Sequence, residues 1–493
     1  MASRRLLLFT APLVLVALLA TQRLDRYPDP WYDEGVNIQA ARNLADTGQY
    51  GLDYGAQLQP FDPQLTTGPT VIVPAALVFA RFGAGLAQAR AVMAAYTLVA
   101  ALGLLWVGWQ LYGPAVGALA VFVLAGTGGY LGLIEVRSVV GEIAALAFLW
   151  WGAGVLLRAP AHGRTPWLAL AGLLFGLATV TKAQFGLVAP ALLLLAIWPG
   201  RRAGGLSPRE AAIVVAALAA PVLLWQGVQL ATLGPGGFLH NIQESEALAR
   251  VSSAGPPLRK GETSLALLVS SPSALAGVTA LVYSWVRLAR ARQAGQPACL
   301  LLPVFASLWL AWYVVFSMGW LRQAIPLAAL CSLFVAAALR DVFAFSRRRL
   351  QVVAAWAVAA LAVVVASPFV WGVVWNGAVL ASADDTAASV TTMVDQDVRQ
   401  GAAIETYEWE LDVLADRPAH HPPAEVVANA VGVVELGDQP GLVAAYEAPA
   451  SVSFLVDGRF SKLDGIYRHE LARGHFRRVA SVGAYDLYER VCC

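Results

Sequence analysis

The feature that most constrains this chain is a succession of apolar stretches roughly 20 residues long, separated by short tracts that hold most of its arginines. A helix of that length crosses a hydrocarbon layer of about 30 Å, and a helix satisfies its own backbone hydrogen bonds where no water can. Residues 6–20, 87–111, 115–133, 139–157, 166–181, 183–198, 210–231, 264–286, 298–318, 321–339 and 350–372 read as spans, about eleven in all. Composition agrees: of 493 residues 58% are hydrophobic and 13% charged, against about 25% charged in a soluble domain. The net charge of +2 comes with no basic face, so nucleic acid is not expected as a partner. Four cysteines are too few for a disulfide framework. Cys299 and Cys331 read as small core residues, and Cys492 and Cys493 end the sequence.

The first apolar stretch follows Arg4 and Arg5. It resembles a signal peptide, but the spans behind it favour an uncleaved helix. The apolar run Pro69–Phe82 is short for a span and suits a helix lying in the interface. Counting it as a span would invert every later loop, so the positive-inside rule decides. Without it, Arg158 and Arg164; Arg201, Arg202 and Arg209; Arg287, Arg290 and Arg292; and Arg340, Arg347, Arg348 and Arg349 share one side. The short opposite loops carry Arg137, Lys182 and Arg322 singly. The chain is therefore expected in a cell membrane (plasma or inner), with a cytoplasmic N-terminus.

Three elements then lie outside: a first loop at 21–86, a second at 232–263 and a tail at 378–493. In the second, Pro235, Gly236, Gly237, Pro256 and Pro257 are expected to break any long helix. In the tail the composition shifts, and runs at 451–456 and 484–491 alternate as strands do. The expected architecture is a polytopic α-helical membrane domain, 1–377, followed by a small extracytoplasmic α/β domain.

Lone charges gather at the outer ends of the spans. Asp33 and Glu34 follow the first span at the start of a helix-like stretch, where the helix dipole alone would favour acids. Arg137 and Glu142 flank another helix start, and Glu142 lies a turn inside an apolar span. Lys182 and Arg322 sit at two further helix ends. Any one of these would serve as an interfacial anchor. Their collection at one face points to a shared polar site, because an ionisable residue at mid-bilayer costs about 2.5–3.5 kcal/mol. Cations beside a lipid phase suit a phosphate leaving group, and a carboxylate suits removal of a proton from an attacking hydroxyl. A second carboxylate can orient the first or hold a divalent cation, magnesium or manganese. Glu34, Glu142 and His240 are the candidate metal ligands. In the tail, Tyr407 and Trp409 of Glu405-Thr406-Tyr407-Glu408-Trp409-Glu410-Leu411 are candidates for stacking on an acceptor sugar. The competing reading is an ordinary strand followed by a loop.

In order, these residues resemble the GT-C class of membrane glycosyltransferases, of the type related to protein O-mannosyltransferases and the aminoarabinose transferase of lipid A. The resemblance runs over about residues 5–340 through Asp33-Glu34, Gly48-Gln49-Tyr50, Gly68-Pro69-Thr70 and Ala89-Arg90. It continues through Arg137-Ser138-Val139-Val140-Gly141-Glu142 and Gly176-Leu177-Ala178-Thr179-Val180-Thr181-Lys182 to Arg322. It implies an inverting transfer from a polyprenyl-phosphate sugar to a glycan, lipid or protein hydroxyl. By position, Asp33 would be the base and Glu34 its acidic companion. Arg90, Arg137, Lys182 and Arg322 would contact the phosphate or wall the site, and Glu142 matches a second acidic position. Many relatives carry Lys-Pro-Pro where this chain has Thr67-Gly68-Pro69. A transporter or flippase is the alternative, but no internal repeat appears and the charges avoid the mid-membrane. A non-catalytic scaffold would not need Asp33.

Overall fold

The computed structural model describes residues 2–54, 58–128, 132, 135–160, 162–197, 206–253, 257–290, 298–317, 319–349, 352–382, 386–415, 417, 419–436 and 441–491. Arg201, Arg202, Pro256, Arg292, Cys492 and Cys493 lie outside these residues.

Helix α1 (Ala2–Thr21) leads into α2 (Tyr32–Thr47), a hairpin of β1 (Gly51–Asp53) and β2 (Leu58–Pro60), and α3 (Pro69–Phe82). The bundle continues with α4 (Leu86–Tyr112), α5 (Pro114–Ala125), α6 (Glu142–Arg158), α7 (Thr165–Thr181) and α8 (Val188–Ile197). It is completed by α9 (Pro208–Ser253), α10 (Pro257–Ser270), α11 (Pro272–Arg290), α12 (Ala298–Val315), α13 (Leu321–Arg349) and α14 (Val352–Ser382). Among the described residues four helices are long and apolar enough to cross a membrane, Leu86–Tyr112, Pro208–Glu246, Leu321–Ala344 and Val363–Ala381, with the bent pair Ser264–Ser270 and Pro272–Ala289 as a fifth. Shorter apolar helical stretches of 10–17 residues accompany them among the described residues, Pro114–Ala125 and Thr165–Thr181 among them, where eleven full-length spans were expected. Local breaks account for the shortening. The span expected at 183–198 opens with a 3-10 turn, Ala183–Leu187, and the one at 264–286 is interrupted before Pro272.

The described residues of the expected loop at 232–263 are instead helical, in 232–253 and 257–263. Only Gly234 leaves the helical conformation, at φ 69°, and Pro235 restarts the helix as a proline at a first position does. Gly236 and Gly237 are carried inside the new segment despite their low helix propensity. Asn241 donates to the Phe61 carbonyl at 2.9 Å, and Trp225 packs edge-on to Tyr50 and Phe61, so α9 leans on the first loop.

The tail is the small α/β domain expected. It contains α15 (Thr386–Asp397), β3 (Ile404–Thr406), α16 (Leu411–Leu414), α17 (Ala424–Leu436) and α18 (Gly441–Ala445). After these come β4 (Phe454–Asp457), α19 (Arg459–Asp464), α20 (Arg468–Ala472), β5 (Phe476–Val482) and β6 (Tyr485–Arg490). The sheet order is β3-β4-β6-β5, with β3 parallel to β4 and the other pairs antiparallel. The last strand is therefore internal, which lets Leu487 bury beside Val456. Trp409 of the tail belongs to the same apolar core as the helical bundle.

At Gly68 the first loop meets α7 with no room for a side chain. Its amide donates to the Thr181 carbonyl at 3.0 Å, and an added Cβ would lie 1.8 Å from the Val180 oxygen. Gly68→Ala is expected to lower the melting temperature in detergent through about 1–3 kcal/mol of overpacking. An unchanged melt would show that this seam can open without cost.

Candidate active site

The site grows from the first turn of α2. Two acids there complement the positive end of the helix, but the structure gives them separate work. Both Glu34 oxygens are taken by Arg90 of α4, at 2.8 Å to Nε and 2.6 Å to Nη2, and the Val139 amide adds a bond at 3.2 Å. Neither side chain of this pair has any exposure. Arg90 also donates to the carbonyls of Leu24 and Pro28. Arg137, equally buried, donates to the carbonyls of Leu19, Gln22 and Tyr27 and packs over the Tyr27 ring. These two arginines gather the strand between α1 and α2 onto the bundle. In this state neither offers its guanidinium to a phosphate, and Glu34 buttresses rather than faces the site.

Asp33 is placed differently. It pairs with Arg322 at the start of α13, and the two side chains keep 20% and 12% exposure. A cation at a helix N-terminus opposes the helix dipole. Here Asp33 compensates it, and the indoles of Trp31 and Trp320 flank the guanidinium at 4.8 and 4.5 Å. Nearby, Lys182 caps the C-terminal end of α7, where a cation is favoured, and sits 3.7 Å from Glu142 in the first turn of α6. Its amine also donates to Thr66 Oγ1 at 3.2 Å and feels the charges of Arg322 and Asp33. Gly141, at φ 87°, leaves the lysine stem just enough room to pass. Glu142 Oε2 has no hydrogen-bond partner among the described residues. Asp33, Arg322, Lys182 and Glu142 thus form one carboxylate and cation cluster at one end of the bundle. Asn37 closes its floor, donating to Thr67 Oγ1 at 3.1 Å and to the Val139 carbonyl at 2.6 Å.

His240 does not join the cluster. It pairs with Glu244 one turn along an exposed face of α9 at 3.1 Å. Among the described residues no three metal-ligating side chains converge. Glu34 is filled by Arg90, His240 lies apart, and Glu142 meets Lys182 with one oxygen, so among the described residues the single open oxygen of Glu142 does not make a divalent-cation site.

Tyr407 and Trp409 are not displayed for an acceptor, being 2% and 0% exposed. Tyr407 packs on Tyr32 of α2 at 5.1 Å, while Trp409 lies edge-on to Tyr54 and stacks flat on His421 at 4.0 Å. The acids beside them, Glu408 and Glu410, are buried too. Glu408 accepts from the Phe460 and Ser461 amides at 2.8 Å, and Glu410 accepts from the Tyr485 hydroxyl at 2.8 Å. Burial pushes both carboxyls above the usual range. Residues that the sequence did not single out complete this joint: Gly35, Gln39 and Asp412. The only sequence signal of Gly35 and Gln39 is helical spacing on α2, which has no meaning until the partner surface is known, and Asp412 of α16 lacks even that.

The frame around this site is shared with known enzymes. Residues 67–225 match the family model described as dolichyl-phosphate-mannose-protein mannosyltransferase. The fold is that of ArnT from Cupriavidus metallidurans bound to undecaprenyl phosphate, at 14% identity and a TM-score of 0.66, over 99% of this chain and 98% of that one. It is also similar to the archaeal oligosaccharyltransferase AglB from Archaeoglobus fulgidus in complex with an inhibitory peptide and a dolichol-phosphate, at 12% identity and a TM-score of 0.61, over 99% of this chain and 74% of that one. Among curated proteins none matches the chain by sequence. The resemblance to GT-C membrane glycosyltransferases thus extends from local motifs to the whole fold.

Arg90→Leu is expected to destabilise the protein by about 3–5 kcal/mol, since it strands the Glu34 carboxylate in a dry site. Pairing it with Glu34→Leu should recover much of the loss, and denaturant unfolding of both variants checks this. In the tail, His420 Nδ1 lies 2.5 Å from Glu405 Oε2, which holds its pKa above the ordinary value despite partial burial. A raised histidine pKa stabilises below the usual range near 6.5 and loses that contribution as pH climbs through the raised value. Thermal melts should therefore fall between about pH 6 and pH 8, and the fall should shrink in His420→Gln.

Proposed function

We propose that this chain is an inverting glycosyltransferase that moves a monosaccharide from a polyprenyl-phosphate donor to an acceptor hydroxyl on the extracytoplasmic side of a cell membrane. In this reading the shorter apolar helices complete about eleven crossings with the long ones. The observation that carries the proposal is the partly exposed Asp33 and Arg322 pair beside Lys182 and Glu142, within a fold shared with polyprenyl-phosphate-binding transferases.

The chemistry follows from what each group can release. The donor phosphate competes with Asp33 for Arg322, whose planar fork suits a phosphate as well as a carboxylate. Lys182 adds a second positive charge to the same anion. Asp33, freed of its partner, accepts the proton of the acceptor hydroxyl as that oxygen attacks the anomeric carbon from the face opposite the phosphate. The bond from the anomeric carbon to the phosphate oxygen breaks with its electron pair. The lipid phosphate leaves as an anion held by Arg322 and Lys182. Glu34 and Arg90 keep the first turn of α2 rigid throughout.

Purified protein in lipid, given radiolabelled polyprenyl-phosphate sugars and cell-envelope acceptors, is expected to move label out of the lipid fraction. Asp33→Asn should lower that rate by about 100- to 10,000-fold while lipid-phosphate binding stays within a few-fold. Binding of every donor without release by the wild type would instead favour a transporter.

A further inference from the structure

We infer that the tail domain aims the catalytic carboxylate: by gripping one stripe of α2 it fixes the rotation of that helix and so the position of Asp33. The inference rests on the transferase reading for its consequence, although its geometric part stands alone.

Tyr32, Gly35, Gln39 and Arg42 are spaced three, four and three residues apart, so they form one stripe along α2. All four meet the tail. The Tyr32 ring packs on Tyr407, Trp409 and Phe460. Gly35 lies so close that an added Cβ would sit 2.3 Å from the Glu410 amide nitrogen and from the Trp409 carbonyl carbon. Gln39 donates to Asp412 Oδ2 at 2.6 Å, and Arg42 donates to the Asp412 carbonyl at 3.2 Å. Asp412 is itself immobilised, by the Ala419 amide at 3.1 Å and by His421 Nε2 at 3.0 Å. The other nitrogen of His421 lies 2.9 Å from the Thr406 carbonyl, and its ring stacks on Trp409.

The opposite side of α2 belongs to the bundle, through Glu34 on Arg90 and Asn37 on Val139. The helix is thus clamped between two bodies, and Asp33 falls outside the tail-facing stripe. A carboxylate at the rim of a helix stands about 5–6 Å from its axis, so a turn of about 10° moves it by about 1 Å. Misplacement on that scale can cost about 100-fold in rate. Gln39 and Asp412 are positioning residues in this account, because neither needs to touch donor or acceptor.

The test uses the full-length protein in lipid. Gln39→Glu sets a carboxylate against Asp412, Asp412→Asn weakens the same contact, and the two together restore a complementary pair. Each single variant is expected to lower kcat by about 10- to 100-fold with KM for the lipid donor unchanged, and the double variant to regain most of the loss. Carbodiimide labelling of Asp33 and hydrogen exchange across residues 32–47 should rise several-fold in the singles and fall back in the double. Normal kcat in both singles, or a rise in KM alone, would overturn the inference. If the wild type transfers no sugar, the transferase reading fails separately. Labelling and exchange then decide the positioning claim, and unchanged values in both singles would sink it.

Discussion

The ion pair between Glu34 and Arg90 is the constraint on which the rest of the site depends. Both side chains are sealed from solvent, where an unpaired charge would be costly and a fully bonded pair is tolerated. The carboxylate is filled by Arg90 and the Val139 amide, and the guanidinium by Glu34 and two backbone carbonyls. One contact therefore ties together the start of α2, the strand behind α1, the body of α4 and the turn before α6. Arg137 repeats the device on the neighbouring carbonyls. With the backbone held by two buried arginines, Asp33 and Arg322 keep partial exposure beside them.

Those remaining charges are balanced against helix ends. Asp33 and Glu142 stand at N-termini and Lys182 at a C-terminus, each favoured by the dipole it meets. Arg322 stands at the wrong end of α13 and relies on Asp33 and two indoles. Arg322 is thus held by a carboxylate and aromatic faces rather than by its own helix end.

The tail shows the reverse pattern. Glu405, Glu408, Glu410 and Asp412 read in sequence as a mixed acidic and aromatic surface, yet all are buried. Each acid meets amides, hydroxyls, histidine or glutamine contributed by residues 7 to 373 positions away. Tyr407 and Trp409, which alone would suit a sugar, instead form a seam between domains. Residue type cannot separate a stacking platform from such a seam, because both demand the same flat apolar faces with polar edges.

Much of the protein was legible from one dimension. Apolar lengths, the clustering of Arg, the alternation at the end of the tail and the collection of Asp33, Glu142, Lys182 and Arg322 at helix ends depend on local periodicity and on the cost of charge in lipid. The 14-residue helix Pro69–Phe82 was bounded by the same logic. What only the tertiary structure decided is which charge meets which: that Arg90 and Arg137 hold backbone, that Arg322 rather than either of them faces Asp33, and that Gly35 and Gln39 face Asp412. Pairing over such separations is set by how the helices pack, and no local pattern carries that information, since an arginine against a carbonyl and an arginine awaiting a phosphate are the same letter in the sequence.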